Sequence, residues 1–137
     1  IPASPHAGLF SLADAVPLID AGGMGVMGIN AERPGGLTGA LRAIDYAAAR
    51  GLGTIIHNQP LGIGTAAHAH LAAARYDRLG HDPEVAGDVM FEQHLTTSRL
   101  AVEHGCLVLA DGPGWGVTVD RHALDDHLIA PPTDLRA

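Results

Sequence analysis

Apolar and polar positions change their period several times along this chain, and each change marks an element boundary. Val26 to Ile29 and Thr54 to Ile56 are short apolar runs without alternation, the pattern of strands whose two faces are both covered. A helix-period stretch follows each of them. Behind the first, a turn at Arg33-Pro34-Gly35-Gly36 leads to a helix capped by Thr38. Leu41, Ile44, Ala47 and Ala48 repeat on one face of that helix, and Gly51 and Gly53 end it. Behind the second, a polar loop from His57 to Gly64 leads to an Ala-rich helix from Thr65 to Arg75, whose small side chains suit close approach to a sheet. The segment from Val26 to Ala74 is therefore expected to form two consecutive βα units. His57 stands at a strand exit, where βα-repeat proteins hold their chemistry.

The flanks extend this picture. Ser11 with Asp14 three residues later marks a helix start, and Leu12, Val16 and Ile19 supply its apolar side before Gly22-Gly23 ends it. Pro17 lies inside that helix, at a cost of about 3 kcal/mol unless the helix bends. Downstream, Val85 to Phe91 and Cys106 to Leu109 read as short strands, and Gly112-Pro113-Gly114-Trp115-Gly116 is turn chemistry. An open parallel sheet of so few strands has raw edges, whereas a closed eightfold barrel takes about 250 residues. Residues 1–137 are accordingly expected to be one partial α/β domain, and Trp115 to pack into its wall.

Composition narrows the partners. All eight basic residues are arginine, and the fifteen acidic ones give a net charge of −7, which argues against nucleic acid or an anionic membrane as a partner. A small anionic substrate would need a metal ion or an arginine. Cys106 is the only cysteine, so an internal disulfide and a thiolate zinc cluster are excluded, and a reducing, cytoplasmic setting is the default expectation. No apolar run approaches the roughly 20 residues that span a bilayer. The chain starts at Ile1 without an initiator methionine, in what reads as the approach to a strand, so a fragment or a processed piece is expected.

Two further patterns compete for attention. Gly23-Met24-Gly25-Val26-Met27-Gly28 matches G-x-G-x-x-G, with Asp45 as nominal ribose acceptor of a standalone nucleotide module. Its glycines follow a helix and lead into a strand, the reverse of the dinucleotide site, so that reading is rejected. His68 and His70 are two apart on a helix and point about 200 degrees apart, so they cannot grip one metal together and at most one faces the core. His81, His94, His104, His122 and His127 have no ligand spacing and are expected to be solvated.

Taken in order, four features resemble one family. They are Asn30-Ala31-Glu32-Arg33-Pro34-Gly35-Gly36-Leu37-Thr38-Gly39, the strand ending in His57, Gly62-Ile63-Gly64-Thr65-Ala66-Ala67-His68-Ala69-His70-Leu71, and Asp111-Gly112-Pro113-Gly114-Trp115-Gly116-Val117. The set resembles the C-terminal part of the enolase superfamily barrel, in its mandelate racemase and muconate-lactonizing branch. The resemblance implies strands five to eight of a (β/α) TIM-type barrel, incomplete on its own. Ile1-Pro2 would enter the fifth strand, Val26 to Ile29 would be the sixth, Thr54 to Ile56 the seventh, and a segment near Glu84 to Phe91 the eighth.

The resemblance also implies chemistry. Such enzymes take a proton from the carbon next to a carboxylate and hold the enediolate on a magnesium ion, as isomerases or lyases of racemase, cycloisomerase or dehydratase type. His57 takes the place of the seventh-strand catalytic histidine. Asn30 stands where the racemase-like branch has the orienting aspartate, and an amide can only orient a ring. His6 falls near the fifth-strand metal ligand, although magnesium prefers oxygen. Glu84, near the eighth strand's exit, is the implied substrate contact, while Asn58, directly after His57, stands either to hydrogen-bond a substrate or simply to shape the turn before Pro60. The remaining acidic ligands, a second-strand lysine and a capping domain would come from upstream of Ile1 or from another polypeptide, in a homo-oligomer. The alternative implied is a noncatalytic structural subunit that completes a partner's barrel.

Overall fold

The computed structural model describes residues 3–5, 9–57, 61–84 and 87–130. Its centre is a parallel pair, β1 (Val26–Ile29) and β2 (Gly53–Ile56), in register from Val26 opposite Gly53 to Ile29 opposite Ile56. Two further segments join this pair. The carbonyl of Ala3 accepts from the Gly25 and Val26 N–H groups, while Gly80 forms a parallel bridge with Thr54 and the Glu84 N–H reaches the Ile56 carbonyl at 2.8 Å. Four successive βα strand positions thus lie side by side, the C-terminal portion of a (β/α) barrel.

Alternation assigns the two faces of the pair. Met27, Ile29, Thr54 and Ile56 share one face by register, and all four are buried. Against it packs α2 (Gly36–Ala49), with Ala40, Ala43, Ile44 and Ala47 buried. This stripe is rotated from the expected one, since Leu41 and Ala48 are only half-buried. Alanines at 40, 43 and 47 let the helix backbone approach the sheet, and Ile44 is the one large side chain of the helix that is fully buried there. Thr38 is not the cap. The glycine pair Gly35 and Gly36, at φ 89° and 72°, turns the chain into the helix earlier, a path open to residues without a Cβ. Gly53 does not end the helix but opens β2.

On the N-terminal side, α1 (Leu12–Asp20) starts with a reciprocal cap. Ser11 Oγ accepts from the Asp14 N–H at 3.3 Å, and the Asp14 carboxylate accepts from the Phe10 N–H and the Ser11 hydroxyl. Pro17 stays inside the helix, on its exposed side. The carbonyl it leaves without an intrahelical donor belongs to Ala13, which is exposed, so water can serve it.

After β2, α3 (Gly62–Ala74) begins three residues before the expected start at Thr65, and α4 (Tyr76–Leu79) follows directly. The expected strand at Val85 to Phe91, whose first two residues lie outside the described ones, is corrected over the rest. Residues Gly87–Met90 form a single helical turn, α5, and the eighth-strand position is taken by residues 80–84. A hairpin of β3 (Val102–Glu103) and β4 (Cys106–Leu107) turns through His104 and Gly105, both at positive φ, and α6 (Arg121–Asp126) closes the described part.

Asp45 ties α2 to the segment after α3. Its carboxylate accepts from Arg75 at 2.9 and 3.3 Å and from Arg78 at 2.9 Å, and the Arg75 hydrogen bond, with both positive charges, holds its pKa below the usual carboxylate range. A carboxyl whose pKa is depressed by folding contributes stability above its unfolded pKa, and that contribution is lost as pH falls through the folded value. Arg75 and Asp45 are 30% and 36% exposed, so the worth of the pair is that of a screened surface network. Asp45→Asn is expected to lower unfolding stability at pH 7 by about 0.5–1 kcal/mol. In urea titrations the difference from the unsubstituted protein should shrink below about pH 4. A pH-independent difference would show that the charge is not responsible.

Candidate functional site at the strand exits

Asn30, His57 and Glu84 follow one another at intervals of 27 residues, and the fold turns that spacing into adjacency. Asn30 and His57 come directly after the paired residues Ile29 and Ile56. Both therefore belong to the face opposite the helix-covered one, the face that also carries Val26, Gly28 and Ile55. The His57 N–H donates to the Ile29 carbonyl at 2.9 Å, which fixes the backbone from which the imidazole leaves the sheet.

Glu84 reaches the same place from the next strand position by a local irregularity. Extending the bridge from Gly80 places Asp82 opposite Ile56 and Pro83 where an N–H should donate to the Ile56 carbonyl. Proline has no N–H, and the donor is Glu84, one residue on. This extra residue is a bulge of the kind that re-aims a side chain. The Glu84 carboxylate comes to 2.6 Å from His57 Nδ1, a short contact for two side chains that are 42% and 31% exposed. A carboxylate is acceptor only, so Nδ1 carries the proton in this pair. The pair is one N–H···O⁻ hydrogen bond, charge-assisted, at a site water can enter.

Asn30 is buried, with 8% of its surface exposed. It supplies no charge, and the carboxylate beside His57 is that of Glu84. His6 and Asn58 lie outside the described residues. Among the described residues no group of three or more His, Cys, Asp or Glu side chains is arranged to hold a metal ion, so these residues do not by themselves fit the magnesium site implied by the resemblance.

The other histidines divide unexpectedly. His68 is the one of the His68/His70 pair that faces the core, at 1% exposure, with Nε2 3.0 Å from the Ala31 N–H and Nδ1 2.8 Å from the Gly64 carbonyl. His70 packs edge-on against Trp115, with ring centroids 5.4 Å apart. His94 is buried, a correction to its expected solvation, because the chain around it lies on the start of α3. A Cβ built on Gly62 would come within 2.0 Å of the His94 carbonyl. Neither burial was readable locally, since each depends on a partner far along the chain. The Gly25–Gly28 region opens β1 and does not open a helix, and Asp45 is held by arginines, so the dinucleotide motif has no site. No helix among the described residues is long and apolar enough to cross a membrane.

Comparison with known proteins agrees with the fold. The chain is 30% identical over 119 residues to the chloromuconate cycloisomerase of Cupriavidus pinatubonensis, covering 84% of this chain and 31% of that protein. Muconate cycloisomerase 1-2 of Acinetobacter lwoffii is 29% identical over 129 residues, covering 91% and 32%. The crystal structure of muconate lactonizing enzyme from Pseudomonas fluorescens complexed with muconolactone superposes with a TM-score of 0.84 at 25% identity, over 91% of this chain and 34% of that one. The chain spans about a third of the length of these relatives. Residues 7–123 match the profile described as enolase C-terminal domain-like, and with parallel strands in barrel order the chain belongs to that family, the C-terminal barrel part of enolase-superfamily enzymes of the mandelate racemase and muconate-lactonizing type.

Proposed function

We propose that the protein carrying this chain moves a proton at the carbon next to a carboxylate, with His57 as the acid or base. The 2.6 Å contact from Glu84 to His57 Nδ1 carries this reading. With Nδ1 hydrogen-bonded to Glu84, Nε2 is the ring nitrogen assigned to accept or return a proton on the face of the sheet opposite α2. Glu84 holds the ring in that tautomer and opposes the positive charge that develops when Nε2 takes the proton. Asn30, at the neighbouring strand end, contributes an uncharged amide to the wall beside the ring. Magnesium is the cofactor proposed for the whole protein, with ligands outside the described residues, and no step here passes through it.

The substrate class is a small carboxylate. The names of the similar relatives, muconate and chloromuconate cycloisomerase, support a cycloisomerase-type reaction ahead of racemisation or dehydration. The test is deuterium incorporation next to the carboxylate, followed by mass spectrometry, with the full-length protein and a panel of carboxylates in heavy water. Glu84→Gln is expected to slow incorporation about tenfold, the lower end for a hydrogen bond to a charged group because this one is solvent-accessible. An unchanged rate would remove Glu84 from the reaction.

A second reading, a noncatalytic part that completes a partner's barrel, is favoured by one observation. Asn30 carries no charge at a strand exit where the racemase-like resemblance calls for a carboxylate. No exchange with any carboxylate, together with no thermal stabilisation by magnesium, would support it.

A further inference from the structure

We propose that His68 is the positioning residue of this site: from within α3 its ring holds the backbone at the exit of β1, and so fixes Asn30 beside His57. The inference rests on the reading of His57 as the proton-transfer group, and it concerns a side chain that does not touch the substrate.

The two ring contacts define the tautomer. The Gly64 carbonyl is acceptor only, so Nδ1 donates to it at 2.8 Å. The Ala31 N–H is donor only, so Nε2 accepts from it at 3.0 Å. The ring is neutral and both nitrogens are used. The Glu32 carboxylate lies 3.6 Å from Nε2, but it is also an acceptor and half exposed, so it makes no ion pair with this tautomer. A buried apolar side chain of similar size would fill the same volume and leave the Ala31 N–H without its acceptor. Ala31 is itself buried, so water is a poor substitute.

The position of Ala31 turns a satisfied histidine into a functional one. Three successive residues at the β1 exit are pinned by hydrogen bonds. The Ile29 carbonyl accepts from the His57 N–H, the Asn30 carbonyl accepts from the Arg33 N–H, and the Ala31 N–H donates to His68. Asn30 lies between two of these anchors. Of the three, only the His68 bond comes from a side chain, and only it ties the exit to α3, the helix that follows β2 and His57. One imidazole thereby couples the two βα units whose ends form the site.

Three measurements on the full-length protein test this. In the unsubstituted protein, nitrogen-15 NMR of the His68 ring should show an unprotonated Nε2 and a protonated Nδ1; the opposite tautomer overturns the proposal without any variant. In His68→Leu, kcat for deuterium exchange should fall by up to about 100-fold with KM little changed, the signature of a misplaced group and not of lost binding. The Ala31 amide should lose hydrogen-exchange protection while Ile44 in α2 keeps its own. In His68→Gln, whose amide oxygen can accept from Ala31, both kcat and Ala31 protection should recover most of the loss. A His68→Leu enzyme with unaltered kcat, or a His68→Gln enzyme no better than it, overturns the proposal. If the unsubstituted protein exchanges no carboxylate at all, the functional reading falls alone, and the tautomer with the Ala31 amide still decides whether His68 holds the exit.

Discussion

Replacing His57 with alanine in the full-length protein is expected to lower deuterium exchange by about 100- to 10,000-fold, the usual contribution of a positioned acid or base. The same change should alter unfolding stability by no more than about 0.5 kcal/mol, because the site lies away from the packed core. His57 is about a third exposed, and its sheet hydrogen bond to Ile29 comes from its backbone, which alanine keeps. Glu84 loses its partner but has water within reach. His57→Gln separates the two roles of the ring, since it can still donate to Glu84 but cannot carry a proton at neutral pH. It should be as inactive as the alanine variant. Exchange within tenfold of the unsubstituted rate in both variants would take His57 out of the mechanism.

The second large effect is expected on the opposite face of the same sheet. Ile44→Ala should destabilise the fold by about 2–5 kcal/mol, and Ile44→Val by about 0.5–1.5 kcal/mol, measured by urea denaturation. Ile44 is fully buried in the seam between α2 and the strands, in one cluster with Met27, Ile29 and Ile56. Its fully buried neighbours on the helix face are Ala40, Ala43 and Ala47, which have no side-chain length to move into the space, and only the half-buried Leu41 lies within reach. The alanines limit how far the site can collapse, which places the loss within this range. A loss under about 1 kcal/mol for the alanine variant would show that α2 does not pack on the sheet through this face.

Much of this arrangement could be read from the residues in order. The bounds of β1 are those of the apolar run Val26 to Ile29, because a short strand buried by helices has little other composition available. The eighth-strand position was misread for the converse reason. Gly80-His81-Asp82-Pro83-Glu84 has neither alternation nor an apolar run, while Val89 and Met90 beyond it belong to a helical turn. The start of α2 shifted because two glycines at positive φ outweighed the capping preference of Thr38. At the site, the spacing of Asn30, His57 and Glu84 was present in the sequence, but the contact between His57 and Glu84 depends on the bulge at Pro83, a tertiary event. The partner of His68 lies 37 residues away across the fold, and no local pattern announces it.

The alternation of β2 has a further consequence for how this protein fails. Ile56 and His57 are neighbours on a strand whose side chains point to opposite sides, so a slip of β2 against β1 by one residue would exchange their surroundings. The imidazole would be driven into the seam beside Ile44 and the isoleucine brought out beside Glu84. The backbone ladder would survive, and spectroscopic strand content would barely change. Fidelity of pairing is thus a separate requirement from stability, and a misregistered population would be folded in outline and inert in chemistry.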